Sequence, residues 1–106
     1  MEAVVIYITA PNEVEAAKIA KALVEEHLAG CVNIIRDIRS IYAWKGKIED
    51  EKEVLMIVKT RRKLFASLQA RVMVLHPYTV PEIIATPIID GAEEYIKWLE
   101  DATQPD

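Results

Sequence analysis

The spacing of hydrophobic positions changes several times along this chain, and each change marks a new element. Ala3 to Ile8 (AVVIYI) is a continuous apolar, β-branched run and predicts a buried central strand. Pro11-Asn12 then opens a helix. Asn12 is placed as its N-cap, Glu15 completes a capping-box pattern, and Glu13 favours the positive end of the dipole. Ala16, Ile19, Ala20, Leu23, Val24 and His27 recur at helical spacing and predict one buried face, with Gly30 as the stop.

From Cys31 to Thr60 the period shortens to that of strands. VNIIRDIRSIYAW and IEDEKEVLMIVKT read as the arms of one long hairpin turning at Lys45-Gly46-Lys47. Alternation is clean at Val54, Met56 and Val58 but slips between Ile35 and Ile41, which predicts a bulge near Asp37. A second helix carries Leu64, Phe65, Leu68, Val72 and Leu75 on one stripe. Ile83 to Ile89 reads as a strand interrupted by Pro87, and Gly91 leads into a short helix with Tyr95, Ile96, Trp98 and Leu99. The order is β-α-β-β-α-β plus a final helix, an α+β, ferredoxin-like sandwich in one domain spanning residues 1–106. That topology puts the first and third strands at the centre, and Pro87 suits an edge because it cannot donate to a ladder.

The hairpin is too long for this sheet. Each arm is about 14 residues, roughly 45 Å, whereas the first strand covers about half that length. The distal half holds Ile38, Ile41, Tyr42, Trp44 and Ile48, so it is apolar as well as unsupported. A lone two-stranded ribbon is marginal in water, and an apolar edge invites pairing. The economical expectation is self-association, with the hairpin of one copy continuing the sheet of the next in a closed ring.

Composition narrows the function. Hydrophobic residues at 52% beside 28% charged ones fit a folded chain, and no apolar run reaches the roughly 18 residues that span a membrane. The amino terminus lacks a basic signal region, and the single cysteine excludes an intrachain disulfide framework; both predict a cytoplasmic protein. Net charge is −4 with basic residues scattered, which argues against a nucleic-acid groove. The one dense basic patch, Lys59 to Lys63, reads more simply as a solvated strand-to-helix junction.

Candidate chemistry gathers at LHPYTVPEII, Leu75 to Ile84. Pro77 and Pro81 stiffen this loop and would hold His76, Tyr78 and Glu82 in place, although they could simply end a helix. Cys31 and His76 are the side chains that copper or zinc would choose, yet no paired spacing of a closed zinc site is present, and Cys31 reads also as a small buried hydrophobe. A small-molecule pocket could draw on Tyr42 and Trp44 for an apolar wall, Lys59 for charge, and Thr60, Tyr78 and Glu82 for hydrogen bonds. The aromatics could instead cement a contact between copies. Nucleophile elbow, HExxH and phosphate-binding glycine loop are all missing, and a Cys31–His76 dyad is the only hydrolytic option.

Six blocks resemble the divalent-cation tolerance (CutA) family: TAPNE at Thr9–Glu13, CVNI at Cys31–Ile34, SIYAWKGKIE at Ser40–Glu49, VKT at Val58–Thr60, HPYTVPEI at His76–Ile83 and GAEEYIKWL at Gly91–Leu99. The resemblance implies a ferredoxin-like subunit in a homotrimer joined by long hairpins. It implies a non-enzymatic, cytoplasmic role in tolerance of copper and other divalent cations, with such a cation weakly bound as the cofactor. An architecture like that of the PII signalling proteins implies the alternative, a small-molecule sensor. Carried over as cleft residues are Cys31, Tyr42, Trp44, Lys59, Thr60, His76, Tyr78 and Glu82, with His76 and Cys31 as the metal ligands. Some members similar to copper binders carry a cysteine and a second histidine where this chain has Ile8 and Leu75, so only His76 of that ligand set is present. Gly30 stands where the family usually has alanine, and Ala43-Trp44 where it has an aromatic pair.

Overall fold

Eight residues, Ala3–Ala10, form β1 between two neighbours, and a computed structural model describes the chain over residues 1–104. The elements that follow are α1 (Glu13–Glu25), β2 (Cys31–Trp44), β3 (Lys47–Arg61), a 3-10 turn (Arg62–Leu64), α2 (Phe65–Leu75), β4 (Ile83–Pro87) and α3 (Glu93–Ala102). The sheet order is β2-β3-β1-β4, every pair antiparallel, so the expected α+β topology and its two central strands are present. Alternate residues Val4, Ile6, Ile8 and Ala10 join Val54, Met56 and Val58 on the face that α1 and α2 cover. Ala16, Ile19, Leu23, Leu68 and Val72 close the core from the helix side. The opposite face is covered at one end by α3, which buries Leu99 and receives two hydrogen bonds from Arg61, to Glu100 O and Thr103 Oγ1.

Asn12 caps α1 as the sequence predicts, its Oδ1 accepting from Glu15 N at 2.9 Å. The far end differs from expectation. The helix stops at Glu25, and His27, at φ 59°, takes the left-handed position expected of Gly30. That turn lets Leu28 N and Ala29 N both reach Leu23 O, satisfying a helix-end carbonyl. Val24 and His27 are therefore exposed rather than part of the buried face, and His27 Nδ1 lies 3.3 Å from Ala102 O. Gly30 serves close packing instead: a Cβ there would sit 2.6 Å from Leu99 Cδ1.

The hairpin turn is one residue shorter than predicted. Lys45 and Gly46 both have positive φ (49° and 78°), as a two-residue turn matching strand twist requires, and Lys47 already pairs with Trp44. The bulge lies where the alternation slips, between Ile35 and Ile38, with Asp37 at φ 58°. It shifts parity by one. Ile38, Ser40, Tyr42 and Trp44 consequently share a face with Glu53, Glu51 and Glu49, opposite the side that α1 and α2 occupy. β1 pairs with β3 only over Val54 to Arg61, so Lys47 to Glu53 pair with β2 alone, and Ile41 and Ile48 remain 62% and 75% exposed. The overhang predicted from strand lengths is real. β4 is shorter than predicted: Pro87 ends it, Ile88 N turns back to Ala3 O at 2.9 Å, and Ile89 lies outside the strand.

Candidate functional site

His76 leaves α2 in extended geometry (φ −75°, ψ 138°), as a residue before proline must. Its buried ring is tied at both nitrogens. The β1–β4 ladder ends at Ile8, and the next carbonyl, Thr9 O, lies 2.8 Å from Nε2, while Tyr78 N–H donates to Nδ1 at 3.1 Å. A donor on Nδ1 assigns the proton to Nε2, so the imidazole is neutral and both its valences are used. A metal could bind His76 only by displacing one of those bonds. The ring also packs tilted against Tyr78 with centroids 4.8 Å apart.

Tyr78 carries the chain of contacts onward. Its hydroxyl donates to Glu53 Oε2 at 2.9 Å, linking the proline loop to the first residue of β3 beyond the reach of β1. Burial, then the hydrogen bond to Glu53 and its charge, push the Tyr78 phenol well above its ordinary pKa. Tyr42 is raised in the same direction, by burial first and then by Glu51, Glu53 and Glu49. These groups bound a cleft of about 880 Å³ between the distal hairpin and the proline loop, lined by Tyr42, Trp44, Tyr78, Glu82, Glu49, Glu51 and Glu53 among others. Arg39 also lines it, but its guanidinium is bidentate to Asp50 at 2.8 and 2.6 Å.

The residues expected to form one site fall into two groups. Tyr42, Trp44, Tyr78 and Glu82 share the cleft, with His76 bracing Tyr78 from behind. Cys31, Lys59 and Thr60 do not line it. Cys31 pairs with Lys59, four residues along β3 from the Thr9 partner Leu55, which separates the ends by about 13 Å along the strand. Lys59 Nζ donates to Asn33 Oδ1, and Cys31 Sγ lies 3.7 Å from that same oxygen. Thr60 is fully buried on the helix side, where its hydroxyl donates to Leu28 O at 2.7 Å and pins the chain between α1 and β2. Among the described residues no group of three or more His, Cys, Asp or Glu side chains is arranged to hold a metal ion.

Glu49, Glu51 and Glu53 were absent from the expected set. Their signal lies in register: they are the cross-strand partners of Tyr42, Ser40 and Ile38, visible only once the bulge is counted.

Comparison with known proteins agrees with the geometry. The CutA1 divalent ion tolerance protein family matches residues 4–102. The chain is 53% identical to the divalent-cation tolerance protein CutA of Thermus thermophilus, covering 93% of this chain and 96% of that one. It is 44% identical to the chloroplastic protein CutA of Arabidopsis thaliana over 95% of this chain, but spans only 56% of that longer relative. Among solved structures, CutA1 from Oryza sativa superposes with a TM-score of 0.96 at 40% identity, covering 100% of this chain and 97% of that chain. The Archaeoglobus fulgidus structure, described as a periplasmic divalent cation tolerance protein CutA, gives 0.93 at 46% identity over 96% and 99%.

Proposed function

This chain belongs to the CutA1 divalent ion tolerance protein family, and from that premise we propose that it is a non-catalytic, self-associating tolerance protein whose ligand site is the cleft on the distal hairpin. The observation that carries the reading is the convergence of Tyr42, Trp44, Tyr78 and Glu82 on a cleft beside a ribbon that no other strand of the chain completes. The hairpins of three copies would complete one another's sheets and fix the shape of each cleft. A sensor-like binding role fits this arrangement better than sequestration of copper. His76 has no spare lone pair, and Cys31 lies at the other end of the sheet.

Divalent cations are weak, exchangeable ligands in this reading, and the location is cytoplasmic; fractionation of the native host checks the latter. Calorimetric titration of the assembled protein with copper and zinc, on wild type and His76→Ala, tests the metal assignment. Weak binding that does not saturate at one ion per chain is expected. Tight stoichiometric binding lost in His76→Ala would return the metal to that histidine. Native mass spectrometry for a retained small molecule, lost in Trp44→Ala, tests the cleft itself.

A further inference from the structure

We propose that Asp90 is a site of spontaneous backbone isomerisation, at which Gly91 N closes on Asp90 Cγ and the chain rejoins through the β-carbon as isoaspartate. Asp90 Oδ1 accepts a hydrogen bond from Gly91 N at 3.0 Å, so the nitrogen already lies against the carboxyl group that it attacks. Both residues are exposed, and they sit between the end of β4 at Pro87 and the start of α3 at Glu93, where neither ladder nor helix fixes the backbone. Ile89 beside them is 94% exposed, so water reaches the segment freely. Packing also keeps the nitrogen unshielded: a Cβ on Gly91 would lie 2.9 Å from Ile96 Cδ1.

The other candidate positions are closed to this reaction. Asp90 is the only aspartate or asparagine of the chain followed by glycine. Asn33 and Asp37 precede isoleucines, whose branched side chains crowd the attacking nitrogen. Asp50 lies in β3 with its carboxylate bidentate to Arg39, Asp101 lies in α3 at 3.5 Å from Lys97, and Asn12 is engaged as the α1 cap.

The step balances with water as its only co-reactant. Gly91 N bonds Asp90 Cγ of the neutral acid, the Cγ–OH bond breaks, and the amide proton leaves with that hydroxyl as water, closing a succinimide ring. Water then adds to either ring carbonyl. Addition at the main-chain carbonyl of Asp90 breaks its bond to Gly91 N and leaves the backbone running through Cβ and Cγ. Nothing is oxidised or reduced, and the mass is unchanged. The connection into α3 gains a methylene, ahead of the helix that packs Leu99 against Gly30.

The test holds the full-length protein at physiological temperature for weeks, then digests it and labels the peptides with an isoaspartyl carboxyl methyltransferase and a radioactive methyl donor. Label is expected to accumulate in the peptide containing Asp90, with no change of its mass before labelling. Asp90→Glu, whose longer side chain disfavours ring closure, should accept none there, and Asp90→Asn should convert faster because ammonia replaces water as the leaving group. The folded chain should react within about tenfold of a free peptide spanning residues 86–95, since a misplacement of about 1 Å costs up to about a hundredfold. A folded rate lower than that would overturn the proposal, because the fold would then hold the nitrogen away. So would equal labelling of Asp90→Glu, or label confined to other aspartates, or no label at position 90 in either the wild type or Asp90→Asn.

Discussion

The two halves of β3 show how differently one strand can be used. From Val54 to Arg61 it runs between β1 and β2, and its alternate residues Val54, Met56, Val58 and Thr60 are buried under the helices. From Lys47 to Glu53 it has β2 for its only partner, and its own Ile48 and Ile41 of the paired strand stay in contact with solvent. The first half is finished by its own chain. The second half carries the cleft, and no third strand of the chain pairs with it. In the proposed reading, stability resides in the proximal half and recognition in the distal half.

Substitutions in the two halves should separate these roles. Leu23→Ala removes a side chain fully buried against the proximal sheet and should cost about 3 kcal/mol in urea denaturation, within the range for such truncations. Ile48→Ala, at a position 75% exposed, should change the intrinsic stability of the chain by less than about 0.5 kcal/mol. It should instead weaken self-association, read as a shift of the dissociation midpoint on dilution. Equal effects of the two on unfolding would erase the distinction.

Thr60→Val probes the boundary. Its hydroxyl bonds Leu28 O inside the proximal half, so the change should cost about 1 kcal/mol and leave retention of a small molecule by the cleft unaltered. Loss of that retention at unchanged stability would instead restore Thr60 to the binding residues.

Most of the proximal half was legible from sequence because its elements obey one period each. The β1 run, the Asn12 cap, the α2 stripe and the strand order all follow from residues near one another in the chain. The distal half was legible in outline only. Strand lengths predict the overhang, and the broken alternation predicts the bulge at Asp37. Which of Tyr42 and Ala43 faces the carboxylates depends on a one-residue shift that alternation alone does not assign. Thr60 and His76 are hard to place from sequence for a related reason: only the fold shows that their polar atoms bond Leu28 O and Thr9 O. His27 in the left-handed position had no sequence signal, since Gly30 nearby was the better candidate.

The smallest expected effect concerns pH. Tyr78 has its pKa raised in the folded state, so its contribution is complete below the ordinary tyrosine value of about 10 and is lost as pH rises above it. Urea midpoints of the wild type should fall from about pH 10 upward, and Tyr78→Phe should flatten that fall. An identical alkaline slope in both proteins would show that the Tyr78–Glu53 link contributes nothing to the tie between loop and hairpin.

Sedimentation equilibrium of the full chain at micromolar concentration is the most direct test of the proposed self-association. The account predicts a single folded species at three times the 12.0 kDa chain mass, persisting on dilution and loosened by Ile48→Ala. A folded species of 12.0 kDa, stable across the same range, would contradict it.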